Sequence, residues 1–290
     1  MHVTVLGAGT MGHGIAQVSA MAGHDVFLRD IDESVLSEGV SAIERNLQGG
    51  VERDKLTADE MDAARSRITT TTDLKEAAGD ADLIVEAVPE RLDLKQQVFA
   101  DVEAVAPDDA ILATNTSSLS VTAIASELSD PHRAVGIHFF NPVHIMALVE
   151  VVLAEQTDDA TREVAVEFVE GIAKTPIVVT DSPGFASSRL GVAIGVEAMR
   201  MYEEGVASAA DIDAAMTLGY NHPMGPLELT DLVGLDVRLD ILEYLREELG
   251  ERFRPPQVLK RKVRAGHHGK KSGQGFYRWE NGENVGEVER

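Results

Sequence analysis

Two side chains twelve residues apart, His138 and Glu150, have the chemistry to move a proton. Imidazole is the one side chain whose ordinary pKa lies near neutrality, and a carboxylate at its second nitrogen fixes the tautomer and strengthens the base. Each sits in an extended apolar run, residues 134 to 140 for the histidine and 148 to 153 for the glutamate. The same pattern also describes a hydrogen-bonded core histidine and an unrelated strand glutamate. Glu90, Asn115 and Ser117 follow two earlier apolar runs and bring an acid, an amide and a hydroxyl. Asn115 and Ser117 equally suit helix capping ahead of Leu119.

The elements that must position these groups begin with residues 2 to 6, a short apolar strand. Gly7-Ala8-Gly9-Thr10-Met11-Gly12 follows, then an alanine-rich stretch with helical spacing to about Ala22. In a strand–turn–helix of this kind Gly7 permits the tight turn, Gly9 lets the backbone approach a pyrophosphate, and Gly12 lets the helix pack on its strand. The helix N-terminus offers unpaired amides to the phosphates. A second strand, residues 25 to 29, ends at Asp30, whose carboxylate would accept from a ribose diol and repel a 2′-phosphate. The expected cofactor is NAD rather than NADP.

Helical spacing runs from Glu33 to about Gln48, and the charged stretch from Val51 to Arg67 reads as a second helix. Apolar runs recur at 83–88, 111–113, 134–140, 148–153 and 177–179, most of them separated by helical stretches. Such alternation predicts an α/β fold with a Rossmann-type, doubly wound, mostly parallel sheet, whose ligands gather at the carboxyl ends of the strands. Glu90, Asn115, Ser117 and His138 would emerge there. At Asp181-Ser182-Pro183-Gly184 the alternation stops and the chain reads as helical to about Ala265. This predicts an NAD-binding domain over 1–183 and an all-α domain over 184–290. Leu190, Ile194, Ala198 and Met201 form one stripe of its first helix, which stops at Gly205, and apolar stripes of this kind suggest a homodimer.

A net charge of −23 argues against nucleic acid and anionic membranes as partners. No cysteine is present, which removes disulfides and thiolate metal sites, and no metal site is expected. Without a basic leader or a membrane-length apolar run, the cytoplasm is the expected compartment. Eighteen of the 26 basic residues are arginine, which with the acidity suggests adaptation to concentrated salt. One stretch is the exception: residues 252 to 278 carry nine lysines and arginines and no acid. It could attract an anionic coenzyme tail or bind acidic patches of its own molecule. His267 and His268 within it read as solvated loop residues.

GAGTMG, the Asp30 strand end, IVEAVPE, NTSSL, HFFNPVHIMALVEVV, DSPGF, HPMGPLELTDLVGLD and GKKSGQGFY occur in this order. On these motifs, which span residue 1 to about 279, the chain resembles the 3-hydroxyacyl-CoA dehydrogenases, most of all the short-chain 3-hydroxybutyryl-CoA type of lipid metabolism. The resemblance implies reversible oxidation of an (S)-3-hydroxyacyl-CoA by NAD. It makes His138 the general base, Glu150 its support, and Ser117 the partner of the reacting oxygen. It also implies that Glu90, Lys95, Asn115, Asn141 and Lys271 join the glycine loop and Asp30 around NAD, and that Asn46 and Arg53, with Lys55 nearby, hold the CoA portion. Ser188 stands where many members have an asparagine near the thioester oxygen, and a hydroxyl donates only one hydrogen bond. Oxidation of a free hydroxy or sugar acid, or nucleotide binding without turnover, are the competing functions.

Overall fold

The computed structural model describes residues 1–288, and the chain divides into two compact units, residues 1–185 and residue 186 onward. In the first unit β1 (His2–Leu6) leads through the glycine turn into α1 (Gly12–Met21), then β2 (Asp25–Arg29), α2 (Glu33–Glu52), α3 (Ala58–Ser66) and β3 (Ile68–Thr71). The chain continues as α4 (Leu74–Ala78), β4 (Leu83–Glu86), α5 (Leu92–Glu103), β5 (Ile111–Thr114) and α6 (Val121–Ala125). It closes with β6 (Ala134–Phe139), β7 (Leu148–Leu153), α7 (Asp159–Gly171) and β8 (Thr175–Thr180). The eight strands form one sheet in the order β3-β2-β1-β4-β5-β6-β7-β8. Every pairing is parallel except β6 with β7. The chain winds outward to β3, then returns to lay β4 beside β1, so the glycine turn opens at a topological switch point.

The doubly wound fold agrees with the sequence reading, with two local differences. The helix expected over 51–67 does not form as one piece. Instead α2 runs to Glu52 and stops in a Schellman pattern, with Asp54 N donating to Val51 O, Lys55 N to Gly50 O, and Asp54 in the left-handed region at φ 54°. Thr57 and Glu60 then form a reciprocal capping box that starts α3. Strand β3 was not expected, because Ile-Thr-Thr-Thr is a half-exposed edge strand with no apolar run to announce it.

The second unit comprises α8 (Ser187–Glu204), α9 (Ala209–Gly219), α10 (Pro226–Val233), α11 (Leu235–Leu249) and α12 (Gln257–Arg264). It ends in a hairpin of β9 (Tyr277–Glu280) and β10 (Glu283–Glu287), so the helical domain is not all-α. Val192, Val196 and Met199 are the face of α8 that enters the core, whereas Leu190 and Ile194 of the anticipated stripe are exposed. The division falls after Phe185 rather than Pro183 because the Phe185 ring packs with Val121, Val152 and Ala154 in the first unit.

Two buried aspartates tie the helices of the second unit to its hairpin. Asp231 accepts from Phe276 N, Tyr277 N and Trp279 Nε1 at 2.8, 2.9 and 3.0 Å. Asp213 accepts from Leu227 N, Glu228 N and the Tyr277 hydroxyl. Burial pushes both carboxyls above their ordinary value, against the pull of these donors. The GKKSGQGFY motif thus acquires a structural meaning: a Cβ on Gly275 would stand 2.1 Å from Asp231 Oδ1, and one on Gly269 2.2 Å from Asp231 O. Only glycine allows so close an approach. Four residues of the basic stretch have partners within the second unit, with Lys260 on Glu243, Arg261 on Glu203, Lys271 on Asp236, and Lys262 donating to Gly275 O. His268 is not merely solvated, since its Nδ1 lies 3.7 Å from Asp236 Oδ2.

Candidate active site

The β6–β7 hairpin fixes the opening pair. Antiparallel register sets His138 directly across from Glu150, and Nδ1 lies 2.7 Å from Glu150 Oε2. Opposed residues project to the same face of a sheet, which is why a spacing of twelve brings them together. Glu150 is 0% exposed and His138 5%. An ionised carboxylate only accepts, so in neutral imidazole Nδ1 carries the proton and Nε2 is left as the acceptor. The rings of Phe140 and Phe185 lie 4.5 and 5.8 Å from the imidazole centroid and make its surroundings apolar.

Asn115 and Ser117 follow β5, the parallel neighbour of β6. Asn115 Oδ1 accepts from Phe139 N at 2.9 Å, which ties this loop to the strand end that bears His138. Glu90 Oε1 accepts from Thr116 Oγ1, Ser117 N and Ser118 N at 2.6, 2.9 and 3.2 Å, and Ser117 Oγ is 3.4 Å away. Burial pushes the Glu90 carboxyl up, but the Lys95 ammonium and these donors outweigh it and hold the group below its ordinary value. Lys95 is buried, with Nζ 2.7 and 3.0 Å from the Glu86 oxygens and 3.4 Å from Glu90 Oε2. Glu86 also accepts from Val88 N and Thr114 Oγ1. Glu90 and Lys95 therefore act from beneath the Ser117 loop.

The glycine turn has the form the spacing predicts. Gly7 adopts φ 97°, and a Cβ there would stand 2.7 Å from Ala87 O. A Cβ on Gly12 would stand 1.7 Å from Gly7 O, whereas one at Gly9 would meet nothing within 4 Å. Gly9 and Thr10 are exposed at the start of α1, whose N-terminus has no side-chain cap. Asp30 Oδ2 accepts from Ala8 N at 2.9 Å, placing an acid at the end of β2 beside the turn. An open approach at Gly9, uncapped amides and this carboxylate fit a dinucleotide.

Asn46 and Arg53 line a cavity of about 560 Å³ together with Lys55 and His144. Asn46 Nδ2 donates to Gln17 Oε1, and the Arg53 guanidinium lies over Gly49 of α2. Asn141 is exposed in the β6–β7 connection. Ser188, in the first turn of α8, and Lys271, whose Nζ lies 2.6 Å from Asp236 Oδ2, belong to the second unit. Sequence reasoning missed Glu86, although an acid inside the apolar run Leu83–Val88 was its signal. It also missed Gly39, where a Cβ would stand 2.7 Å from Ala8 O beneath the turn. A glycine inside a helix is itself a hint of close backbone approach. Among the described residues no cluster of metal-ligating side chains occurs, and no helix is long and apolar enough to cross a membrane.

Comparison with known proteins agrees with this geometry. Residues 2–182 match the family model for the 3-hydroxyacyl-CoA dehydrogenase NAD binding domain, and residues 184–279 that for the 3-hydroxyacyl-CoA dehydrogenase C-terminal domain. A probable 3-hydroxybutyryl-CoA dehydrogenase of Deinococcus radiodurans is 44% identical, over 96% of this chain and 100% of its own. A 3-hydroxybutyryl-CoA dehydrogenase of Clostridioides difficile is 41% identical, over 96% and 99%. The crystal structure of (S)-3-hydroxybutyryl-CoA dehydrogenase from Ralstonia eutropha superposes with a TM-score of 0.93 at 37% identity, covering 97% of this chain and 99% of that one. The chain belongs to the 3-hydroxyacyl-CoA dehydrogenase family of NAD-dependent oxidoreductases.

Proposed function

We propose that the protein interconverts (S)-3-hydroxybutyryl-CoA and acetoacetyl-CoA, with His138 as general base in the oxidation. The observation that carries the mechanism is the buried His138–Glu150 pair at 2.7 Å. Glu150 holds the tautomer that presents Nε2 to the substrate hydroxyl, and Nε2 takes the hydroxyl proton. Ser117 donates to the same oxygen and stabilises the charge that develops there. NAD, when bound, accepts the hydride from substrate C3. Gly7 to Gly12 would hold its pyrophosphate and Asp30 its ribose diol, while Asn115 and Asn141 flank the nicotinamide end and Lys95 and Glu90 brace the loop below. Asn46 and Arg53 hold the CoA portion. The roles implied for Ser188, beside the thioester oxygen, and for Lys271, among the NAD contacts, belong to the same proposal.

The short acyl chain rests on the relatives at 44 and 41% identity. Assaying acetoacetyl-CoA with NADH against NADPH tests the reading. Turnover of free 3-hydroxybutyrate or gulonate at a rate matching 3-hydroxybutyryl-CoA would overturn it, and NADPH preference would overturn the role of Asp30. The exposed Leu190 of α8, Leu218 of α9 and Tyr220 just after α9 support a homodimer. The net charge of −23 supports a cytoplasm of high salt, to be tested by activity and helicity after dialysis into low salt.

A further inference from the structure

The cavity that holds Asn46 and Arg53 is electrostatically unlike the rest of the chain. Its charged lining is Arg45, Arg53 and Lys55, with no carboxylate, in a protein of net charge −23. A concave surface with cations of one sign is a site for an anion. His144 lines the same cavity from the β6–β7 connection.

The turn that carries His144 is held on several sides. Ile145 N and Met146 N both donate to Pro142 O. Lys174 Nζ donates to Val143 O and Met146 O at 2.6 and 2.7 Å. Val143 is buried against α1, where a Cβ on Gly14 would stand 2.8 Å from it. The imidazole is thus set into the cavity wall. The groups facing it are His13 on α1, Arg53 at the end of α2 and Lys174 just before β8. Burial first, then electrostatic interaction with His13, Arg53 and Lys174, holds the imidazole below its ordinary value. It stands beside the Arg53 guanidinium and the Lys174 ammonium, and no carboxylate lines the cavity.

We propose that His144 is a proton-linked contact for the phosphates of CoA, taking up a proton as the anion enters, so that acyl-CoA binds more tightly as pH falls. This rests on the reading that the cavity holds CoA. A phosphate brings the negative charge that the lining lacks, and an anion beside an imidazole favours its charged form. One linked proton changes affinity by at most about tenfold per pH unit.

The test is calorimetric titration of CoA into the full-length protein at about pH 7.5, in two buffers of different ionisation enthalpy. A phosphomonoester, with its second pKa near 6, is already dianionic there, so a proton taken up lands on the protein. For wild type the heats in the two buffers should differ in the sense of proton uptake. His144→Gln should take up almost none and lose the tightening of CoA binding at lower pH. Pantetheine, which lacks the phosphates, should bind wild type without uptake. Equal uptake by H144Q, uptake with pantetheine, or none by wild type with CoA would overturn the proposal. If CoA binds and acetoacetyl-CoA is reduced but no proton moves, only the His144 role fails. Failure of CoA to bind and of acetoacetyl-CoA to turn over removes both readings.

Discussion

Exchanging Glu150 for glutamine keeps the shape of the buried pair and removes its charge. Glu150 is fully buried against His138 Nδ1, so solvent does not screen the interaction. A hydrogen bond to a charged group contributes about 1.5–3 kcal/mol. At about 1.36 kcal/mol per tenfold, losing that charge in the transition state alone slows the reaction roughly ten- to 150-fold. The amide brings a second penalty, because its NH2 can turn toward Nδ1. The imidazole then carries its proton on Nε2 and cannot accept from the substrate, forfeiting general-base catalysis worth about 10²–10⁴. Because the glutamine oxygen can also accept from Nδ1 and keep the working tautomer, the second penalty is only partly incurred, and Glu150→Gln is expected to lower kcat by about 10²–10³, with a smaller effect on the KM for acetoacetyl-CoA. The assay follows NADH oxidation, with NADH fluorescence checking that the cofactor still binds. A variant within about threefold of wild type would refute the tautomer argument and return Glu150 to a packing role.

Replacing His138 by asparagine should reduce kcat by about a thousandfold or more in either direction while NADH binding persists. Asp30→Ser should raise the KM for NADH about tenfold and narrow the preference over NADPH, since its carboxylate accepts from Ala8 N beside the glycine turn and is the group proposed to hold the ribose diol; steady-state kinetics with both coenzymes reads this. Lys95→Met leaves Glu86 buried and uncompensated, a loss of about 3–5 kcal/mol that urea denaturation would measure. Acid should unfold the first unit before the second. Glu90 is held below its ordinary 4.5, so its contribution is complete above that pH and is lost as pH falls through the lower folded value. Asp213 and Asp231 are raised, so theirs is present below 3.8 and is lost as pH rises through the folded values. The single tryptophan, Trp279, lies in the second unit. On acidification its fluorescence should change after far-UV dichroism begins to fall, and the reverse order would refute the assignment.

The sheet was legible because its strands are apolar runs and its glycine turn has a period tied to a physical task. Gly7, Gly12 and Asp30 each stand where that task requires them. His138 and Glu150 could be paired only as alternatives, because nothing in a spacing of twelve says that two runs are antiparallel. Other features left no local mark. The α2–α3 break depends on Asp54 entering the left-handed region, which an acidic residue adopts without a glycine to signal it. Lys95 enters the sequence reading only through the resemblance, as a residue around NAD, and only the tertiary fold sets it on Glu86. Leu190 and Ile194 show the opposite error: their apolar periodicity is real but faces away from the domain core.

The bond set of Asp231 bears on the order in which the protein can be completed during synthesis. Its carboxylate lies on α10, yet its acceptor sites are filled by Phe276, Tyr277 and Trp279, between 45 and 48 residues later in the chain. Until those residues leave the ribosome, an anion destined for the interior must remain hydrated, so α10 cannot close on its neighbours at an earlier stage. The helical domain then forms as a late, concerted event once the hairpin emerges, whereas the nucleotide-binding sheet has all its strands in hand a hundred residues before.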